Sequence, residues 1–286
     1  MDSFDDRQIF SPSNKNIQQK SYEQPETHKK NKSFLECFIC CQSSDNELTQ
    51  NQLHLFYTLK PLCNTLYDES NKAHQENLKE LYLASFEQNL NAENLCSDEW
   101  MKMGFQNKNA QTDFRGAGLI GLKNLFSFVK LQKKTFQEMC LKENEFLFAM
   151  TSLNITFYMK IYFHLADYLS YKKDKKLICS REALKNFTLF FENFCKNQTG
   201  FGFEETLQNC FYEIHEILLI FCFNNWLNYR KSNKETSLMD FHNIFEEMKR
   251  NFKVFMDTEG HTTLSQMRDY FLKFLLHSNA KEIIHS

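Results

Sequence analysis

From about residue 48 onward, apolar residues return every three or four positions, the spacing of helices that each bury one face. In "EETLQNCFYEIHEILLIFCFNNWLNYR", Leu207, Cys210, Phe211, Ile214, Leu218 and Phe221 form one stripe. "AGLIGLKNLFSFVK" carries a second at Leu119, Leu122, Phe126 and Val129. "REALKNFTLFFENFCK" aligns Leu184, Phe187, Phe191 and Phe194, with Ser180 placed to cap the helix start. The same periodicity predicts helices near 72–90, 145–168, 238–255 and 263–276. Pro61 interrupts the pattern, and no Asn-Gly or Asp-Gly hairpin signal occurs. "SYKKDKKLICS" reads as a polar connection, and no internal repeat is visible. The pattern predicts an all-α protein with one globular helical domain over residues 34–286.

Residues 1–33 break from this. They hold Pro12 and Pro25 among many Asn, Gln, Ser and Lys. So polar a stretch buries too little surface to offset its ordering entropy, which predicts a disordered N-terminal tail. For the remainder, 42% hydrophobic and 15% aromatic residues in 286 are enough to build a sizeable core. Thirty phenylalanines suit buried packing better than a wet binding face.

Charge is balanced at a formal net of -2, so no basic field points to nucleic acid. The ten cysteines follow a polar N-terminus without a secretory pattern, and they read as mostly reduced core thiols of a cytoplasmic protein. The apolar runs "FLFAMTSLNITFYM" and "ILLIFCF" are too short or too polar to span a bilayer.

One stretch departs from the rest. The chain has 7 glycines, and Gly104, Gly116, Gly118 and Gly121 gather within "GFQNKNAQTDFRGAGLIG". Only six of the 34 basic residues are arginine, yet Arg115 sits inside this cluster. Gly104 predicts a helix stop in left-handed conformation. Gly116 and Gly118 predict torsions that other residues avoid, with a helix starting near one of them. Gly121, inside that helix, predicts a close backbone approach that offsets a cost of about 1 kcal/mol relative to alanine. Trp100, Phe105 and Phe114 read as packing beneath the loop. Asp113 either caps the following helix, the preferred reading, or orients Arg115. Gln106 either orders the loop or contacts a partner. Read from spacing alone, Arg115 is a structural arginine bridging Asp113 or Glu99 to a nearby carbonyl.

Trp100, Gly104, Phe105, Gln106, Thr112, Asp113, Phe114, Arg115, Gly116, Gly118, Leu119, Gly121, Leu122 and Leu125 together resemble the signature of the ELMO domain. The likeness is to the short ELMO-domain-containing (ELMOD) proteins and runs from about residue 48 to residue 255, with its core near 97–130. "FAMTSLNIT" and "LMDFHNIFEEMKRNF" resemble later family segments, and a terminal helix near 260–278 lies outside it. Ala110 departs from the family's usual proline.

The resemblance implies a GTPase-activating protein for Arf and Arl small GTPases that supplies Arg115 in trans as an arginine finger. Gln106, Thr112, Asp113, Phe114, Gly116 and Gly118 would support the loop or touch the GTPase. GTP and Mg would belong to the partner, so no cofactor of its own is expected. The rival implication is a non-catalytic adaptor, or an effector, that binds a small GTPase or an exchange-factor complex. Either implies a cytoplasmic protein that can work peripherally on an internal membrane.

Other motifs say less. "ECFICC" offers Cys37, Cys40 and Cys41, with His54 beyond, but lacks the second ligand pair of a structural zinc site, so no metal is expected. Cys40 and Cys41 are candidate lipidation sites, although inert thiols are the simpler reading. His164 and His215 fall in helical stripes and read as structural. No phosphate-binding loop is present, so nucleotide hydrolysis by this chain alone is not expected.

Overall fold

The structure is a computed structural model that describes residues 50–285 except 89, 91–94, 167–179, 198–199, 201, 234–236 and 238–239. The predicted tail, Cys37, Cys40, Cys41 and most of "SYKKDKKLICS" therefore lie outside the described residues. Among those described there are eleven α-helices, two short 3-10 turns and no strand.

The helices run in the order α1 (Gln50–Asn64), α2 (Lys72–Phe86), α3 (Glu99–Lys102), α4 (Phe114–Ala117), α5 (Leu119–Leu131), α6 (Lys133–Met139), α7 (Phe148–Tyr162), α8 (Arg181–Asn197), α9 (Phe203–Ser232), α10 (Asp240–Asp257) and α11 (Leu264–His285). The central element is α7. Its sequence "FAMTSLNITFYMKIY" has no polar face, and all but three of its 15 residues are buried. A helix that is apolar all round has to be surrounded, and α4, α5 and α9 pack against α7. Its buried threonines, serine and lysine are hydrogen-bonded. Asn124 donates to Thr156 Oγ1 at 2.8 Å, and Ser152 Oγ lies 3.0 Å from His215 Nε2.

At 30 residues, α9 is about 45 Å long and contacts α7, α8, α10 and α11 along its length. All six residues of its predicted stripe are buried. The phenylalanines meet in edge and tilted contacts between elements. Phe163, just after α7, lies 4.4 Å from Phe187 of α8 and 5.9 Å from Phe252 of α10, centroid to centroid. At the start of α8, Ser180 Oγ accepts from Ala183 N–H at 3.1 Å, the cap its sequence suggested.

Three local readings need correction. Pro61 does not interrupt a helix but lies within α1. It falls in the last turn, where α1 ends at Asn64 before there is much helix left to break. The helix expected over 145–168 is the shorter α7, because Glu145 adopts a left-handed torsion before it and His164 another after it. His164 thus sits in the turn beyond α7 rather than in a helical stripe, although it is buried. The terminal helix starts at Leu264, close to the expected 263, but extends to His285, beyond the expected end.

Candidate functional site

The glycine-rich segment is a chain of very short elements, with α4 packed against α7. One-turn α3 ends at Gly104, whose φ of 88° closes it in left-handed conformation. A polar loop leads to the 3-10 turn Ala110–Asp113, then to α4, Gly118 and α5. No element here is long enough to be stable alone, so tertiary contacts must hold the segment.

Below it runs a series of rings. Trp100 is fully buried and meets Tyr82 at 5.0 Å and Phe105 at 5.2 Å. Phe105 meets Phe114 at 5.9 Å, Phe114 meets Tyr67 at 5.2 Å, and Tyr67 meets His74 at 5.7 Å. The polar tips are satisfied as well. Trp100 Nε1 donates to Leu95 O at 3.2 Å and Tyr67 Oη to Gln111 Oε1 at 3.2 Å. Burial, reinforced by Glu69 and Asp68, pushes the Tyr67 phenol up to about 12, which keeps it a donor.

Above the rings the loop is laced by its own side chains. Asn109 Oδ1 caps the 3-10 turn by accepting from Gln111 N–H at 3.2 Å. Thr112 Oγ1 donates to Asn109 O at 2.9 Å. Ala110, at the start of the 3-10 turn, is fully buried. Asp113 Oδ2 accepts from Gln106 N–H at 2.9 Å. That corrects both readings of Asp113. Its carboxylate makes no cap bond to α4 and no contact with Arg115, because it turns back to close the preceding loop. Gln106 takes part in ordering the loop through that N–H, while its side-chain amide reaches Met150 Sδ at 3.6 Å.

Arg115 is exposed on α4. Its Nε donates to Thr112 O at 2.9 Å. Among the described residues the terminal amino groups of the guanidinium make no hydrogen bond or ion pair, so neither Asp113 nor Glu99 engages it. The exposed side chain is thus tethered through Nε alone among the described residues.

Three of the glycines have steric reasons to be there, and a Cβ on Gly104 would stand 2.8 Å from Leu147 Cα. Gly118 separates α4 from α5 with φ 72° and ψ -162°, and a Cβ on it would stand 2.6 Å from Thr65 O. Thr65 O also accepts from Leu119 N–H at 2.9 Å, so the end of α1 presses on this turn. Gly121 permits the close approach its helical position implied, since a Cβ would fall 2.9 Å from Leu153 Cδ2 of α7. Gly116 is a correction: it is an ordinary helical residue of α4, where an added Cβ would make only normal contact with Phe157 at 3.5 Å.

Several contributors escaped the sequence reading. Tyr67, His74 and Thr65 all lie upstream of the recognised cluster. Lys160 is 4% exposed on α7, and its Nζ donates to Gly116 O at 3.1 Å and Ala117 O at 3.2 Å. The available signal was a single cation inside the apolar run "FYMKIYF". His215 is buried with Nε2 3.1 Å from Ser152 O, and burial lowers its ring to about 4, as it does for His164. Both are neutral near pH 7. Among the described residues no group of three or more His, Cys, Asp or Glu could hold a metal ion, and no helix is long and apolar enough to cross a membrane.

Residues 57–245, well over half of the chain, match the ELMO/CED-12 family. ELMO domain-containing protein C of Dictyostelium discoideum is 34% identical over 93 residues, covering 32% of this chain and 15% of the relative. ELMO domain-containing protein B of the same organism is 36% identical over 93 residues, 32% of each chain. Human ELMO domain-containing protein 1 is 34% identical over 85 residues, 30% of this chain and 25% of that one. The matched stretch thus spans a third or less of these relatives. No solved structure matches. The ring-floored segment around Arg115 lies inside the matched range, and the chain belongs to the ELMO/CED-12 family.

Proposed function

We propose that this protein is a GTPase-activating protein for small GTPases of the Arf and Arl type, and that Arg115 is the arginine it inserts. As a GTPase hydrolyses GTP, negative charge spreads over the γ-phosphoryl oxygens, and an arginine donated in trans can raise the rate by roughly 10³–10⁵. The task calls for a permanent, planar cation with paired donors, which lysine does not provide. It also calls for a group positioned before the partner arrives. The observation that carries this reading is the guanidinium of Arg115, on an exposed side chain and bonded only at Nε to Thr112 O among the described residues.

GTP and Mg²⁺ would come with the GTPase, and this chain would contribute the arginine and a docking face. The segment that holds Arg115 also carries exposed apolar surface at Met101. Met101 and Leu141, 44% and 45% exposed, border a cleft of about 640 Å³ that begins at Gly104. The protein would act in the cytoplasm, at internal membranes where its partner resides.

The test is single-turnover hydrolysis on a panel of GTP-loaded Arf and Arl proteins. Wild type should accelerate at least one of them. Arg115→Ala and Arg115→Lys should lose nearly all of that acceleration, while stability moves by only about 0.5 kcal/mol because the side chain is exposed. Binding without acceleration by the wild type would favour the adaptor or effector reading. Unfolding of the variants would make Arg115 a structural residue.

A further inference from the structure

Resting on the reading of Arg115 as the inserted arginine, we infer that Lys160 is the residue that positions it. Arg115 stands on a helix of four residues, which cannot persist by its own hydrogen bonds. The last carbonyls of any helix lack internal partners. For α4 those at Gly116 and Ala117 are taken by Lys160 Nζ, at 3.1 and 3.2 Å. A cation is also the favoured partner at a helix C-terminus. The next residue, Gly118, lies beside the same ammonium group, where an added Cβ would be in ordinary contact with Lys160 Nζ at 3.8 Å.

Lys160 belongs to α7, the helix most enclosed by the rest of the protein. Its neighbours there are Tyr158, Met159, Ile161 and Tyr162, all buried. An ammonium group is costly to bury, and an apolar side chain of similar volume often serves packing as well or better. Packing alone therefore does not explain a lysine here. What the lysine adds is direction: donors that fix where the end of α4 lies relative to the core. Because Arg115 immediately precedes Gly116, a shift of that end carries the guanidinium with it. Misplacement by about 1 Å can cost a catalytic group about 100-fold. Lys160 has no route to the partner's phosphate, so its part is positioning and not chemistry.

The test uses the whole chain and the GTPase that responds best to wild type. Lys160→Met keeps the length and apolar stem but has no donor. Its maximal stimulated rate should fall about 10- to 100-fold, while the half-saturating concentration of GTPase stays within about twofold, since the docking face is untouched. In an Arg115→Ala background the same change should cost nothing further, because the two residues act as a unit. A structural role alone would not produce that split. A folded Lys160→Met with the wild-type rate overturns the inference. Should that variant fail to fold, Lys160→Gln, whose amide donor is one bond short of the carbonyls, must show the same fall in rate at constant half-saturation, and a wild-type rate there overturns it equally.

A second readout needs no GTPase. In wild type the Arg115 Nε–H should exchange slowly with solvent, held by Thr112 O, and in the Lys160 variants it should exchange faster by NMR. If wild type activates no GTPase, the activation reading fails alone, and this signal still decides whether Lys160 fixes Arg115. An unchanged exchange rate in a folded variant would end the inference.

Discussion

Replacing Gly118 by alanine tests whether the turn behind Arg115 is rigid for the reasons the geometry gives. Two costs combine. The residue adopts φ 72° and ψ -162°, a region L-residues rarely enter, at a cost of about 1–3 kcal/mol. The new Cβ would also stand 2.6 Å from Thr65 O, a backbone atom that cannot rotate away. Relief requires α1 and α5 to separate, which weakens the 2.9 Å bond from Leu119 N–H to that oxygen, worth about 1 kcal/mol net. Together these predict a loss of about 2–4 kcal/mol, within the 5–15 kcal/mol typical of a domain (order of magnitude), so the variant should still fold. Gly260→Ala supplies the control. It too has positive φ, 84°, but an added Cβ there meets nothing within 4 Å, so only the torsional cost applies. Urea melts of both variants should show equal slopes with Gly118→Ala clearly the less stable. Equal stability of the two would mean that the Thr65 contact exerts no pressure, and the argument for a turn clamped between α1 and α5 would fail.

Other predictions test the neighbouring layers. Trp100→Ala should cost about 3–5 kcal/mol, because a fully buried indole would leave a cavity under Phe105 and Tyr82; a change below 1 kcal/mol in urea melts would show that the ring series supports nothing. Asp113→Ala should slow GTPase activation about 10-fold by loosening the loop while costing only about 1 kcal/mol, since it removes the acceptor for Gln106 N–H; wild-type activation at equal stability would refute that role. Stability should also fall in mild acid. His164 and His215 are lowered to about 4 by burial, against about 6.5 unfolded. The unfolded chain therefore takes up protons first, and stability present above pH 6.5 is lost as pH falls toward 4. Each ring should remove about 1.4 kcal/mol per pH unit across that window. Melts at pH 7, 6 and 5 that coincide would contradict the burial of both rings.

The long elements were legible because their periodicity is a record of burial. All six stripe residues of α9 are buried, and an apolar run without a polar face became the enclosed α7. The short elements were not legible, since one turn of helix has no period to detect. That is why α4 read only as the start of the next helix, although the stop after α3 at Gly104 was anticipated. Gly104 and Gly118 betrayed their torsions, but Gly116 did not differ from them in sequence, although its backbone is plain helix. The remaining misses share one cause: the partners lie far away in the chain. Lys160 reaches carbonyls more than 40 residues upstream, and Tyr67 bonds to Gln111 across a similar separation. Nothing local in "FYMKIYF" says where its lysine will point.

Asp113 is the most instructive of the corrections, because its chemistry could have defeated the proposed activity. A carboxylate two residues before an exposed arginine can pair with it, and a paired guanidinium must give up that bond before it can serve a phosphoryl group. Any such bond raises the barrier by whatever it is worth to the resting state. Here the Asp113 carboxylate is engaged by Gln106 N–H and by Thr112 Oγ1, and Arg115 turns its Nε to the Thr112 carbonyl instead. One neutral contact at the stem limits the side chain's rotamers and leaves the charged fork available. An Asp113→Glu variant, with one more methylene, should reach Arg115 and lose Gln106 N–H together. Activation should then fall further than in Asp113→Ala, where the guanidinium stays unpaired. If the longer carboxylate proves the milder change, the placement of Asp113 is incidental to how Arg115 is kept available.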